Sequence, residues 1–228
     1  MNPENFPIMN KYELETVPIG IGGKRMQFYR IADWEPFIKN LFSGENGSFT
    51  DFPHWIKIWE ASLVLTDYLL DEGLKTEGQL ETSQSVLETG AGMGITGMFL
   101  AAFGHPVILT DYDEDCLELM RLNIAYNELE SARVQKLDWD QPELDGRFDI
   151  ICGAEVIYRE SIIASLTALF RKHLKPGGRI YLAHDHQRSS VETFMARLPA
   201  DMRAETVVKT FRGQDMARRI VIHILRFA

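Results

Sequence analysis

The period at which hydrophobic positions recur changes along the chain. Near the N-terminus, residues 12–19 and 25–31 alternate polar and apolar side chains, and the glycine-rich segment 20–23 lies between them. Alternation with a period of two on both sides of a turn sequence predicts a β-hairpin. From Ile56 to Leu70 the apolar residues recur every three or four positions, which predicts an amphipathic helix leading into the rest of the chain.

From about residue 84 onward, short apolar runs alternate with helical ones. This order is typical of a sheet whose parallel strands are joined by helices. The tail differs, because two β-rich runs flank Gly213 and predict a closing antiparallel hairpin. We predict strands at 86–88, 107–111, 134–137, 148–154, 179–183, 205–211 and 219–227, and helices at 94–103, 114–127 and 161–174.

Together these elements predict a Rossmann-like α/β fold. Its doubly wound, seven-stranded sheet is mostly parallel and ends in the antiparallel hairpin, and the N-terminal hairpin is an appendage. We assign residues 1–50 to the N-terminal β-hairpin extension and a flexible loop at 43–48, and residues 51–228 to the main domain.

Composition narrows the class of partner. Of 228 residues, 24 are Lys or Arg and 33 are Asp or Glu, so the net charge of −9 argues against a protein that grips nucleic-acid phosphates. The two cysteines, Cys116 and Cys152, have no metal-ligand spacing and are expected to be reduced structural thiols. No basic leader with an apolar core and no run of eighteen apolar residues occurs. We therefore expect no membrane contact, a cytoplasmic location and a monomer.

A glycine-rich segment joins the first main-domain strand to the following helix. Glycines at such a junction let the backbone approach a ligand and bring a helix N-terminus against it. Gly92, Gly94 and Gly97 also match the GxGxxG spacing of dinucleotide-binding loops, so the segment alone leaves a nucleotide and other adenosyl ligands open. A tight turn without a ligand is the remaining alternative.

Two acidic residues favour one of these ligands. Asp111 ends the next strand, where a carboxylate can accept hydrogen bonds from both hydroxyls of a ribose. Glu88 lies two residues before Gly90, and a carboxylate there would repel a pyrophosphate, whereas S-adenosylmethionine carries a sulfonium, an ammonium and no phosphate. The pair therefore favours the methyl donor over a dinucleotide.

Further candidates follow the third and fourth strands. Asp138 can accept a hydrogen bond from an adenine amino group while Trp139 covers a ring face, although an acidic loop beside a core tryptophan fits too. Glu155 and Tyr158 lie at the carboxyl end of the fourth strand, where the methyl group of the donor would point. The alternative is that Glu155 caps the next helix and Tyr158 packs in a loop.

These motifs resemble those of a known family. The segment from Glu88 to Gly94, Asp111 and the strand order resemble the class I, seven-strand S-adenosylmethionine-dependent methyltransferases. Residues 58–65, the Leu-Asp-Trp at 137–139 and the Ala-Glu-Val-Ile-Tyr at 154–158 resemble, within that class, the lysine methyltransferases of the methyltransferase-like group. The departure from that pattern is a glutamate at 155, where the family more often has aspartate.

The resemblance implies roles for individual residues. Trp59 and Trp139 would flank S-adenosylmethionine, Gly90 and Gly92 would line its methionyl part, and Ala154 would contact it through the backbone. Glu155 and Tyr158 would border the acceptor channel as the catalytic residues, and S-adenosylhomocysteine would be the product. The protein would then methylate a lysine amine of a protein substrate.

Other functions stay open at this point. The same fold could methylate the nitrogen or oxygen of a small molecule, or bind the cofactor as an interaction module without catalysis. A nicotinamide oxidoreductase is disfavoured, because no Tyr-x-x-x-Lys pair is evident. His184 and His186 form an incomplete ligand set, so we predict no metal site, although either could border the acceptor pocket.

Overall fold

The computed structural model describes residues 6–33, 53–75, 83–213 and 217–228. The predicted loop at 43–48 and the centre of the terminal turn, residues 214–216, lie outside these ranges. The N-terminal part contains α1 (Ile8–Lys11), β1 (Leu14–Ile21), β2 (Lys24–Ile31), a 3-10 turn (His54–Ile56) and α2 (Glu60–Leu69), which continues into a π-helical turn at Leu70–Leu74. The main domain continues with β3 (Val86–Thr89), α3 (Ile95–Ala102), β4 (Val107–Asp111), α4 (Glu114–Tyr126), β5 (Ala132–Lys136), β6 (Phe148–Ala154), α5 (Ile163–His173), β7 (Leu174–Asp185), α6 (Ser190–Ala196), β8 (Met202–Arg212) and β9 (Ala217–Phe227).

The seven main-domain strands form one sheet in the order β5-β4-β3-β6-β7-β9-β8. The first five are parallel to one another, and β9 pairs antiparallel with both β7 and β8. The chain runs outward from β3 to β5 and then crosses back to β6, so a crevice opens above the carboxyl ends of β3 and β6. The predicted doubly wound sheet with its closing hairpin is confirmed.

Two hydrophobic layers enclose the sheet, because successive strand residues point to opposite faces. Ile150 packs with the side that carries α2, α3 and α4, whereas Ile151 packs with α5 and α6 on the other side. Helix α6 was not predicted. It has seven residues and buries only Val191 and Phe194, which is too short a pattern for a helical period to be recognised.

The predicted N-terminal hairpin is present, with Gly22 and Gly23 at positive φ in its two-residue turn. Strand β2 of this hairpin is held by hydrogen bonds with two asparagine side chains of α4. Asn123 accepts from the Tyr29 N–H (2.7 Å) and donates to the Tyr29 carbonyl (3.1 Å). Asn127, one turn later, makes the same pair of bonds with Gln27 at 3.2 and 2.8 Å. The two asparagines thus take the place of a neighbouring strand.

Replacing Asn123 by alanine should lower the free energy of unfolding by about 1–3 kcal/mol, because the part-buried backbone groups of Tyr29 lose both partners. Urea denaturation followed by circular dichroism measures this. Arg121→Ala, an exposed change on the same helix, is the matched control and should lie within about 0.5 kcal/mol of wild type. Equal effects of the two substitutions would contradict the assigned docking role.

Candidate functional site

A cleft of about 700 Å³ opens at the carboxyl ends of the parallel strands. It is bounded by the loops after β3, β4, β5, β6 and β7 and by the segment that leads into α2. Most of the site residues predicted from the sequence line it: Trp59, Gly90, Gly92, Asp111, Asp138, Trp139, Ala154, Glu155 and Tyr158.

The glycine loop owes its shape to positive φ angles. Gly90 and Gly92 have φ of +57° and +54°, a conformation that side chains disfavour. A Cβ on Gly90 would also lie 2.9 Å from Val156 Cγ1 and 3.1 Å from Trp139 Cζ2. Gly97 serves packing instead, because a Cβ there would lie 2.6 Å from the Glu88 carboxyl. The first two glycines shape the cleft, and the last lets α3 pack onto the sheet.

Asp111 connects the glycine loop to the end of β4. Its Oδ2 accepts the Gly92 N–H at 2.9 Å, and its Oδ1 accepts the N–H groups of Tyr112 at 2.8 Å and Asp113 at 3.3 Å. Burial raises the pKa of Asp111, and these backbone donors oppose that shift. A carboxylate has about four acceptor positions, so this one can still accept from a ligand hydroxyl.

Glu88 corrects the sequence interpretation. Its side chain is 1% exposed, is not among the cleft-lining residues, and accepts the Gly97 N–H at 2.8 Å. Burial raises the pKa of this carboxyl group to about 8, so Glu88 carries a proton at neutral pH. The expected contact with a ligand and the charge argument against a pyrophosphate are therefore wrong, and Glu88 holds the start of α3 from below.

Two of the three described tryptophans that line the cleft are held by their indole N–H, whereas the buried indole nitrogen of Trp55 has no partner among the described residues. Trp139 donates to Thr89 Oγ1 and Trp59 donates to the His54 carbonyl, both at 2.7 Å. Trp59 has extended backbone angles and precedes the first residue of α2, Glu60. The predicted helix start at Ile56 is therefore wrong: a 3-10 turn comes first, and the extended residue turns the indole into the cleft.

Glu155 adopts a left-handed backbone conformation with φ of +58°, which is uncommon for a residue other than glycine. Its side chain is 8% exposed, and Oε1 accepts the Asp185 N–H at 2.7 Å while Oε2 accepts Arg188 Nε at 2.6 Å. Both oxygens of the Glu155 carboxylate are thus already hydrogen-bonded within the protein. Tyr158 is 40% exposed, with its ring 5.7 Å from that of His54.

Acidic and basic side chains lie on opposite halves of the cleft, and this arrangement was not predicted from the sequence. The half above β4 and β5 presents acidic residues, and the half above β6, β7 and the start of α2 presents basic ones together with Glu155. Burial and the positive charge of Arg188 lower the pKa of His54. No sequence motif predicts the basic residues, because they come from three separate segments of the chain. The acids are Asp111, Asp113, Asp138 and Asp140, and the bases are Lys57, Arg159 and Arg188.

His184, near the end of β7, and His186, just after it, do not line the cleft. His184 is buried against His223, with ring centroids 5.1 Å apart, and burial lowers the pKa of both, that of His223 to about 4. His186 lies 3.2 Å from the Asp185 carboxylate. Within the described ranges no group of three His, Cys, Asp or Glu side chains could hold a metal ion. Cys116 and Cys152 are buried free thiols.

Comparison with known families decides the relationship of the chain. A family profile described as lysine methyltransferase matches residues 55–201, which contain nearly all of the cleft. The chain belongs to the lysine methyltransferase family. The resemblance inferred from the glycine loop, the strand order and the Trp-Glu-Ala, Asp-Trp and Glu-x-x-Tyr segments is confirmed.

Curated relatives carry related names. The chain is 34% identical over 147 residues to EEF1A lysine methyltransferase 3 of Mus musculus, covering 62% of this chain and 61% of that protein. It is 35% identical over 118 residues to protein N-lysine methyltransferase METTL21A of Xenopus tropicalis, covering 50% and 52%. A histidine protein methyltransferase 1 homolog of Dictyostelium discoideum is 31% identical, covering 56% and 41%. The matches therefore span about half the length of these relatives.

Solved structures support the fold. The 16S rRNA N2 G1207 methyltransferase RsmC of T. thermophilus aligns with a TM-score of 0.60 at 18% identity, covering 94% of this chain and 51% of that one. The glycopeptide N-methyltransferase MtfA aligns with a TM-score of 0.51 at 17% identity, covering 74% and 91%. At these identities the alignments establish the shared architecture. No described helix is of sufficient length and hydrophobicity to span a membrane.

The buried acid of β3 predicts a pH dependence of stability. Folded Glu88 keeps its proton up to a pKa of about 8, whereas in the unfolded chain it ionises near 4.5. The folded state therefore binds more protons between these values, and its stability should fall by a few kcal/mol as the pH rises through them. Glu88→Gln should flatten that slope in urea titrations at several pH values. Glu130→Gln, an exposed change, should leave it as in wild type.

Gly90→Ala should weaken the binding of an adenosyl ligand by at least about tenfold, because the added methyl group would meet Trp139 and Val156. Isothermal titration with S-adenosylhomocysteine measures the loss. Gly146→Ala is the matched control: its φ is +84°, so backbone strain is comparable, but nothing lies within 4 Å of the added Cβ. Similar losses in both variants would mean that strain, and not occlusion of the cleft, is responsible.

Proposed function

We propose that this chain is an S-adenosylmethionine-dependent methyltransferase that transfers a methyl group to a lysine side chain of a protein substrate. The observation that carries the proposal is a single cleft in which the Gly90–Asp111 side meets the Glu155–Tyr158 side, within the segment matched by the lysine methyltransferase family. One side suits the donor and the other suits the acceptor.

The residues of the donor side fit S-adenosylmethionine. Gly90 leaves open the space that a Cβ would fill, beside the indole of Trp139. Asp111 would accept a hydrogen bond from a ribose hydroxyl, Asp138 would accept one from the adenine amino group, and Gly92 would line the methionyl part. Ala154 and Trp59 would close the remaining walls. When bound, the cofactor supplies an electrophilic methyl group on a sulfonium.

On the acceptor side the protein has to orient an amine and keep water out, because methyl transfer is an in-line displacement that needs no covalent intermediate with the enzyme. A lysine amine has a pKa of about 10.4 in water and is charged at neutral pH. Glu155 is hydrogen-bonded at both carboxylate oxygens, so we assign it to positioning and not to proton abstraction. Tyr158 would supply an aromatic wall and a hydroxyl group.

Among the similar proteins, names specify lysine, histidine or arginine as the target. We propose a nitrogen acceptor on a protein of the cytoplasm, and a small amine is the competing substrate. A cofactor-binding module without catalysis would leave both label fractions empty in the experiment below.

Incubation with radiolabelled S-adenosylmethionine and a fractionated lysate tests the proposal. Label should enter protein and be recovered as methyllysine after hydrolysis. Label in the small-molecule fraction, or in methylhistidine or methylarginine, would replace the lysine acceptor by another one.

Two substitutions separate donor binding from transfer. Asp111→Asn should weaken cofactor binding by about 10–100-fold, because one amide oxygen cannot accept the N–H groups that the two carboxylate oxygens now share. Glu155→Gln should bind the cofactor within about threefold of wild type and lose at least about tenfold in turnover. Asp145→Asn, exposed and outside the cleft, is the control and should behave as wild type. Normal turnover in Glu155→Gln would refute its role.

A further inference from the structure

Arg188 occupies the acceptor side of the cleft. It comes from the loop between β7 and α6, is 30% exposed, and its Nε lies 2.6 Å from Glu155 Oε2. Its guanidinium carbon lies 5.9 Å from the centroid of the Trp59 ring. The guanidinium is therefore a cation that already pairs with the Glu155 carboxylate and contacts the Trp59 ring.

Arg188 is one of several charged residues on the acceptor side of the cleft. Among the lining residues, Lys57 and Arg159 add positive charge and Glu155 is the acid. Outside the lining, Arg218 forms ion pairs with the carboxylates of Asp185 and Glu60. The Glu60 carboxylate also lies 3.7 Å from the Lys57 ammonium.

The imidazoles around this pair are His54, His184 and His186. Burial lowers the pKa of His54 and His184, which keeps both uncharged near neutral pH. His186 lies against Asp185. With Arg188 in place the acceptor side is thus cationic overall, and without it an unpaired Glu155 carboxylate would remain.

We propose that Arg188 is a positioning residue that neutralises Glu155 and adds to the positive charge of the acceptor side, so that the acceptor nitrogen is held as the uncharged amine. This inference rests on the proposed function. An unpaired carboxylate beside the nitrogen would stabilise its ammonium form, which has no lone pair for attack, whereas nearby positive charge favours release of the proton.

The proton balance is complete without a base in the protein. The ammonium releases a proton to water, and the lone pair of the resulting amine forms the new N–C bond. The electron pair of the breaking S–C bond stays on sulfur, whose positive charge is lost. The methylated nitrogen takes up the positive charge as a secondary ammonium, and its later deprotonation to water resets it for another transfer.

Binding of a simple cation tests the charge balance directly. n-Butylammonium, a lysine side-chain analogue, is titrated at pH 7.5 into protein saturated with S-adenosylhomocysteine. Arg188→Met should bind it at least about tenfold more tightly than wild type, because Glu155 is released to pair with the ammonium. Arg188→Lys should remain within about threefold of wild type, since it keeps the charge.

Two further variants isolate the cause. Combining Arg188→Met with Glu155→Gln should abolish the gain in affinity, since no carboxylate is left to pair. Arg197→Met removes an arginine that bonds Glu160 outside the cleft, and it should leave butylammonium binding unchanged. No gain in Arg188→Met, or a gain that persists in the double variant, would overturn the inference.

The second readout is steady-state kinetics, with the protein that the wild-type enzyme methylates in the lysate as the substrate. Arg188→Met should lower kcat at pH 7.5 by at least about tenfold without raising KM, and shift the rising limb of the kcat–pH profile upward by about one unit. A raised KM with an unmoved limb would mean that Arg188 binds an acidic group of the substrate, which refutes the inference. Absence of methyl transfer by wild type would refute the proposed function alone, because cation binding still reports on Arg188.

Discussion

The geometry of the cleft depends on the hydrogen bond between Asp111 and the Gly92 N–H. The glycine loop that follows β3 has several residues at positive φ. Glycine permits this conformation but does not favour it over negative φ, so other contacts have to stabilise the loop. The 2.9 Å contact joins this loop to the end of the adjacent strand, and Glu88 fixes the start of α3 through Gly97 at 2.8 Å. Two acids on neighbouring strands therefore fix the glycine loop and the helix that follows it, Asp111 at the cleft and Glu88 from the core.

The different roles of these two acids explain why a motif can be recognised in the sequence while the chemistry of its residues is predicted wrongly. Both carboxyl groups follow from the sequence pattern, but the face toward which each points does not. Glu88 lies within β3 and is directed into a dry layer, where the protonated form is favoured. Asp111 ends its strand, so it lies at the border of the cleft.

Most of the fold could be predicted because strand and helix periods are strong local signals. Strands β4 and β6 and the start of α4 agree with the predicted bounds, whereas the start of α2 and the short α6 do not. Pairing between distant side chains carries no such signal. Nothing in the spacing of Glu155 and Arg188 indicates that a loop after β7 brings them together, and this contact changes the chemistry of the acceptor side.

The asparagines of α4 have a consequence for how the molecule meets other chains. A strand at the border of a sheet presents a row of free N–H and C=O groups, along which foreign strands can add and begin aggregation. Asn123 and Asn127 cap the groups of Gln27 and Tyr29 on β2, so at these positions the outer side of the small sheet is closed. A helix, with no backbone contribution, thereby blocks this side of the hairpin against strand addition.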